Sequence, residues 1–322
     1  MKVLVVGGAG YIGSHAARAL SRAGFEVTIY DNLSTGFEFL TRGFPLVVGD
    51  LHDAKSLLEV VKQCDAVMHF AANAYVGESM TNPRKYFHNN VEGGLSLLNA
   101  IRDAGKQSAV IFSSTCAVYG APERMPLTED HPLAPVNPYG VSKAFFEQAL
   151  HAYDTAYGMR YASLRYFNAA GADESGELGE CHDPEPHLIP LALQAATGVG
   201  PELKIYGSDY PTPDGTCIRD YIHVVDLAEA HVKALQRLLA GSSSFLVNLG
   251  TGQGSSVMEV ISTVEEVTGK KVPMTIVPRR PGDPPVLVAD PGRAHQMLQW
   301  KAKRTLRDSV STAWKWMQTR QP

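Results

Sequence analysis

The stretch Lys2–His15, KVLVVGGAGYIGSH, leaves this chain little freedom in how it begins to fold. Val3, Leu4, Val5 and Val6 form a continuous, β-branched-rich apolar run, the pattern of a strand buried on both faces of a parallel sheet. Gly7, Gly10 and Gly13 follow at three-residue spacing. One such glycine allows a tight turn, one lets the backbone approach a pyrophosphate, and one lets the next helix pack close to the strand. The N-terminus of that helix offers free N–H groups and a partial positive charge to a diphosphate. Glycine triplets also occur in turns that bind nothing, so the cradle needs support from residues further along the chain.

Support comes from the next unit. A helix is predicted over Ser14–Ala23, Gly24 punctuates, and Phe25–Tyr30 reads as a second strand ending at Asp31. A carboxylate about 20 residues beyond the glycines is placed to accept hydrogen bonds from an adenosine ribose. Asn32 and Leu33 come next, with no arginine to receive a 2′-phosphate, so the cofactor expected is NAD rather than NADP. The GxxGxxG spacing resembles the short-chain dehydrogenase/reductase folds.

With 322 residues, 44% of them hydrophobic and 19% charged, the chain can bury a sizeable core as one large or two coupled domains. Its net charge of −4 gives no basic footprint for nucleic acid, and no apolar run approaches a membrane span. A chain that opens on a strand instead of a signal peptide is expected to be cytoplasmic. Cys64, Cys116, Cys181 and Cys217 lack C-x-x-C spacing, so neither a disulfide framework nor a metal site is expected.

Apolar runs then alternate with helix-like patterns, as in βαβ units. Pro45–Gly49 reads as a third strand leading to Asp50 and Leu51; Asp50 can face an adenine while Asp53 caps a helix. Ala66–Phe70 is a fourth strand, followed by the small residues Ala71 and Ala72, which leave room for a cofactor backbone. Asn89 and Asn90 lie in a helix predicted over Pro83–Ala104, facing either cofactor or solvent. A fifth strand, Ala109–Phe112, runs into Ser113, Ser114 and Thr115, hydroxyls that suit either an active site or a turn. After a proline-rich loop, Pro122–Pro138, expected to cover the site, NPYGVSK opens a helix with Tyr139 and Lys143 one turn apart.

That pair carries the chemistry. A phenol ionises near pH 10, too high for a base at neutrality. A lysine ammonium one turn away and a nicotinamide cation both favour the phenolate, each pKa unit being worth about 1.36 kcal/mol. Tyr139 can then take a proton from a substrate hydroxyl, a step typically worth about 10²- to 10⁴-fold. An isolated Tyr-x-x-x-Lys is usually a helix-surface pair; its place after a dinucleotide cradle and a hydroxyl-rich strand end favours the functional reading.

The segments GGAGYIGSH, HFAANAYVGES, FSSTCAVYG, NPYGVSK, RYFNAAGA, HLIPLALQ, DGTCIRDYIHVVDLA and RRPGDPPVLVAD, in this order over nearly the whole chain, resemble the UDP-glucose 4-epimerase family of extended short-chain dehydrogenases. The resemblance implies an α/β Rossmann-type doubly wound parallel sheet with a smaller C-terminal substrate lobe. It implies NAD as cofactor, a UDP-sugar as substrate, and a homodimer. Thr115, Tyr139 and Lys143 match the catalytic positions, Thr115 as the hydroxyl that bonds the sugar O4. Gly7, Gly10, Tyr11, Ile12, Gly13, Asp31, Asn32, Leu33, Ser34, Thr35, Gly36, Asp50, Leu51, Phe70, Ala71, Ala72, Asn73, Asn89 and Phe167, with Tyr139 and Lys143, match NAD-contacting positions. Asn168, His187, Leu188, Lys204, Tyr206, Arg219, Tyr221, Arg280 and Asp283 match those that hold the UDP-sugar, together with Leu287. Two positions depart from the family: Ala74 stands where a lysine often meets the cofactor phosphates, and Leu287, a size-determining position, is intermediate between bulky and small.

The second half read by itself is compatible. Arg160–Phe167 is an apolar strand whose end reaches Asn168, and Asp226 is expected to cap a helix running to Ala240 before a strand at Phe245–Leu249. Arg219 and Arg280 can grip a diphosphate or form surface ion pairs with Asp220 and Asp283. Tyr206 and Tyr221 can flank a uracil or belong to the core. Residues 1–168 are expected to form the NAD-binding domain, with 214–250 returning to it, and 169–322 mainly the UDP-sugar lobe. The reaction implied is reversible inversion at C4 through a 4-keto sugar. UDP-pentoses and UDP-N-acetylhexosamines stay open as substrates, and a catalytically silent NAD(H) sensor is the rival from another class. Dehydratases carry an acidic pair directly after the catalytic threonine, where this chain has Cys116 and Ala117.

Overall fold

The Val3–Val6 run is the middle of a sheet. In the computed structural model, which describes residues 1–105, 109–280 and 282–319, strand β1 (Lys2–Val6) pairs in parallel with β2 (Glu26–Asp31) on one side and β4 (Ala66–His69) on the other. β3 (Leu46–Val48) adds beyond β2, and β5 (Ala109–Thr115) beyond β4, again in parallel. β6 (Tyr161–Tyr166) and an edge strand, Phe245–Leu249, complete seven strands in the order edge-β6-β5-β4-β1-β2-β3. Sequence order reverses direction between β1 and β4, the switch point at whose carboxyl edge such sheets bind ligands. Residues Val3 to Val5 are fully buried, as a strand covered by helices on both faces requires.

Two compact units emerge. The first comprises Met1–Gly120, Pro132–Arg165 and Ala228–Val247. Its core joins Leu4, Val6, Val67, Val110 and Phe112 of the sheet to Leu57, Leu97, Ile101 and Phe146 of the helices laid on it. The second comprises Ala121–His131, Tyr166–Leu227 and the chain from Asn248. There Asn168–Ala170 pairs with Tyr221–His223, Ile218–Arg219 with both Ser255–Ser256 and Val286–Leu287, and Leu203–Tyr206 with Met274–Val277. Its core gathers Ile189, Leu193, Ile205, Val260, Val264 and Val310.

Four expectations shift. The stretch returning to the first unit is Ala228–Val247 rather than 214–250, because residues 218–223 are strand partners within the second unit. β5 continues to Thr115, so the three hydroxyls sit in the strand itself. The helix Val224–Leu239 starts ahead of Asp226; the His223 imidazole accepts the Val225 N–H there. Asp226, wholly buried, accepts the N–H groups of Lys303 and Arg304 at 2.8 Å and pairs with the Arg304 guanidinium. The proline-rich loop divides at His131, and Leu127 is tied down by bonds to Val288 and Asp290 in the second unit.

Candidate active site

The glycine cradle divides its labour. Gly7 turns with φ +82°, and a Cβ there would stand 2.4 Å from the Ala71 nitrogen; a Cβ on Gly13 would stand 2.2 Å from the Gly7 oxygen. Gly7 therefore makes the turn, and Gly13 seats helix α1 (Tyr11–Arg22) against it. A Cβ on Gly10 would meet nothing nearer than 3.4 Å, so its surface is left to a ligand. Gly10 is the N-cap of α1 with no side-chain cap, so the first N–H groups of that helix remain available to an anion.

Asp31 ends β2 in a buried position, its Oδ2 accepting the Ala9 N–H and its Oδ1 the Leu33 N–H, both at 2.9 Å. Burial raises its pKa, and the two N–H donors oppose that rise. Each oxygen keeps a further lone pair, as a ribose diol needs. Leu33 is held at φ +58°, a conformation rare for a branched residue, and Asn32 bonds the Ser34 N–H, so the loop through Thr35 to Gly36 is fixed. Gly36 packs on Ala9, where a Cβ would come to 2.9 Å. Glycine spacing, open helix terminus and buried carboxylate fit a dinucleotide.

Past β3, the cap expected at Asp53 is present. Asp53 caps helix α2 (Ala54–Val61) through the Ser56 N–H. Asp50 accepts from the His52 N–H and imidazole and from Asn32. Burial works against ionisation of Asp50, yet these bonds outweigh it and hold the carboxyl down at about 2. Leu51 beside it is buried. Phe70 and Ala71 close the end of β4 by donating to the Val6 carbonyl, and Ala72 and Asn73 follow.

The run from Pro83 to Asp103 is helical throughout, with a π-type turn at Phe87–Glu92. Such turns re-aim side chains and concentrate at functional sites. Here the turn separates the two asparagines. Asn90 is buried, accepts the Asn73 N–H at 2.8 Å, and donates to the Asn73 carbonyl and the Ser142 hydroxyl. It is scaffold, while half-buried Asn89 donates to it and stays closer to the surface.

Tyr139 and Lys143 lie on the helix Pro138–Tyr157, which Asn137 caps through the Gly140 N–H. Lys143 is buried and donates to the Ser113 carbonyl at 2.8 Å, with Nζ 4.8 Å from the Phe112 ring centroid and 6.0 Å from that of Tyr139. Burial pushes the Lys143 ammonium down to about 7, and Glu147 one turn on opposes it. The same desolvation, aided by Lys143, keeps neighbouring His69 neutral, at about 3. Thr115 accepts the Ala117 N–H at 3.2 Å and sits on the same strand face as Ser113.

Behind this pair stands a group that the sequence reading missed. Glu147 accepts from Ser114 at 2.6 Å, from Ser163, and from Arg165, which also donates to the Tyr119 hydroxyl. Both partners of the Glu147–Arg165 pair are buried, so losing either one would cost about 3–5 kcal/mol. Its only local signal is the four-residue step from Lys143 to Glu147.

In the second unit, the candidate sugar-binding residues gather in part. Arg219 pairs with Asp283, not Asp220, and also donates to the Ile218 carbonyl. Arg280 lies 3.9 Å over the Tyr206 ring rather than against Asp283. Lys204 shares a strand face with Tyr206 and is exposed. Leu287 stands in register with Arg219, and Asn168 donates to the Asp220 carbonyl. Burial raises the pKa of Tyr221, next in the chain to Asp220. Leu188 begins a helix, and the imidazole of His187 turns toward Glu180 and Glu185. Phe167 is buried between β6 and Asn168.

The chain matches the NAD dependent epimerase/dehydratase family over residues 3–250. It is 51% identical to a UDP-glucose 4-epimerase of Azospirillum brasilense over 312 residues, 96% of this chain and 89% of that one. Its fold superposes on the crystal structure of UDP-glucose 4-epimerase from Brucella ovis in complex with NAD with a TM-score of 0.95, at 51% identity over 97% of each chain. It matches the enzyme from Stenotrophomonas maltophila, with bound NAD and formylated UDP-arabinopyranose, at TM-score 0.96 and 42% identity over 99% and 98% of the two chains.

Proposed function

The chain belongs to the NAD dependent epimerase/dehydratase family, and from that premise we propose that it interconverts UDP-glucose and UDP-galactose by inverting the sugar at C4. The observation that carries this reading is the buried Lys143 ammonium, anchored to the strand that ends in Thr115 and one helical turn from Tyr139. A sensor has no use for a phenol activated in this way.

NAD, when bound, supplies the acceptor and donor of the C4 hydrogen, so the reaction has no net redox change. The Gly7–Gly13 turn and the N-terminus of α1 hold its diphosphate, and Asp31 the adenosine ribose. Tyr139 removes the proton of the 4-hydroxyl and later returns it. Lys143 lowers the cost of the phenolate by its charge, and Thr115 bonds O4. Arg219 and Arg280 hold the diphosphate of the UDP-sugar, so that the nucleotide is fixed while the sugar turns. Asn168, His187, Leu188, Lys204, Tyr206, Tyr221 and Asp283 complete that grip, with Leu287 limiting the size of the sugar.

The protein acts as a cytoplasmic homodimer. In support, Val141 and Phe145, one turn apart on the Pro138–Tyr157 helix, are 38% and 46% exposed, and Phe87 adds a third exposed apolar side chain in the same unit. Among the described residues no helix is long and apolar enough to cross a membrane.

Incubation with UDP-galactose, UDP-N-acetylglucosamine and UDP-xylose, with each product sugar identified, tests the reading. UDP-glucose should form from UDP-galactose without added reductant. Tyr139→Phe should keep its bound NAD and lose turnover by about 10²- to 10⁴-fold. Near-wild-type turnover in that variant would mean that another group is the base.

A further inference from the structure

Gly171–His187, between the strand Asn168–Ala170 and the helix Leu188–Thr197, forms neither helix nor strand. The end of this stretch carries E-x-H-x-x-E-x-H, and Glu180, His182, Glu185 and His187 each bring a donor atom within 4.8 Å of the others. Nδ1 of His182 lies 3.3 Å from Glu180 Oε1 and 3.5 Å from Glu185 Oε2. Nδ1 of His187 lies 2.6 Å from Glu180 Oε1 and 3.2 Å from Glu185 Oε1. Four donors at the corners of a tetrahedron, each about 2.0–2.2 Å from a central ion, stand about 3.3–3.6 Å apart. With either oxygen of Glu185 as the donor, two of the three quoted distances lie close to that spacing, and the third, His187 Nδ1 to Glu180 Oε1, is shorter.

We propose that Glu180, His182, Glu185 and His187 form a structural site for a divalent transition metal, zinc(II) by the chemistry of its donors. The Glu180 and Glu185 side chains are only 6% and 8% exposed, and two enclosed carboxylates need positive charge beside them, which protonated His182 and His187 supply without metal and the ion supplies when it displaces those protons. Oε1 of Glu180 is enclosed, with His187 Nδ1 at 2.6 Å and His182 Nδ1 at 3.3 Å. Two imidazoles with two carboxylates suit zinc, whereas calcium and magnesium take all-oxygen shells. Four protein donors fill a tetrahedron and leave no open position, which is the mark of a structural site. A cavity of about 300 Å³ lined by Glu180, His182, Glu185 and Trp316 gives the ion a way in.

The ion cross-links a stretch that has no regular structure and fixes the start of the Leu188–Thr197 helix. His187 belongs both to this cluster and to the proposed UDP-sugar grip, but zinc content is measured without substrate, so failure of the site and failure of the epimerase reading are distinguishable. Elemental analysis of the tag-free, full-length protein, loaded with zinc sulfate and desalted, should find about one zinc per chain. Glu180→Gln and His182→Gln should each cut that content at least about 10-fold, the least that even outer-shell changes cost in metal affinity. His88→Gln, in the exposed His52–His88–Glu92 cluster, should leave it unchanged. Chelation should lower the melting temperature of the wild type and zinc restore it, with neither treatment moving that of Glu180→Gln. Less than about 0.1 zinc per wild-type chain after loading, or equal content in wild type and Glu180→Gln, would overturn the site, and the wild-type figure decides even if a variant fails to fold.

Discussion

At Lys143 two influences of opposite sign act on one ammonium: burial drives its proton off, and Glu147 helps retain it. Burial wins, leaving the folded-state value at about 7 against 10.5 in the unfolded chain. Below pH 7 the lysine is charged in both states, and folding bears the whole cost of enclosing that charge. Between pH 7 and 10.5 the unfolded chain binds more protons than the native one, so stability should climb with pH across that window. Lys143→Met abolishes this titration. The urea midpoint of the NAD-stripped wild type should therefore rise between pH 7 and 9.5 relative to the variant's; parallel pH profiles would show that the ammonium is not desolvated. Single residues differ in how far sequence reveals them. Asp31, Tyr139 and Lys143 declare themselves by spacing along the chain. Asn90, which holds Ser142 from 52 positions away, and Glu147, which holds Arg165 from 18, act through space and leave almost no local trace.

The cradle is an element whose three glycines were legible as a group but not one by one. Spacing alone assigned three tasks to three positions without saying which did what. The backbone surroundings now separate them, since a methyl group at Gly13 collides with the Gly7 carbonyl, whereas one at Gly10 has room. Gly13→Ala should destabilise the fold by about 1–3 kcal/mol, the usual cost of overpacking against backbone that cannot yield. Gly10→Ala should unfold within about 0.5 kcal/mol of wild type yet retain much less NAD after purification. If Gly10→Ala keeps its NAD and Gly13→Ala its stability, both assignments are wrong. The helix at Val224 shows the opposite case. An aspartate near its start looks like a cap, but the side chain is enlisted by Lys303 and Arg304 from far along the chain, and His223 receives the Val225 N–H group instead.

At the scale of the whole molecule, the exposed pair Val141 and Phe145 predicts assembly. Light scattering should give about twice the 34.8 kDa of one chain, and Phe145→Lys should shift the protein toward the monomer without unfolding it. An unchanged mass in that variant would move the interface elsewhere. Chain order makes a separate demand on folding. The apolar runs of the first 168 residues read as βαβ units to which a later stretch returns, and the first unit takes in that stretch, Ala228–Val247, after the chain has built about half of the second. That late piece brings Leu235 and Leu238, both fully buried, and Val247 of the edge strand beside β6. A fragment ending at residue 168 would leave β6 as an open, largely apolar edge and uncover the surface those side chains fill, conditions that favour aggregation over folding. Residues 1–168 expressed alone should be insoluble or unfold without a cooperative transition, and adding 225–250 through a flexible linker should improve solubility. Cooperative unfolding and NAD binding by the fragment on its own would show that the first unit closes without its last strand.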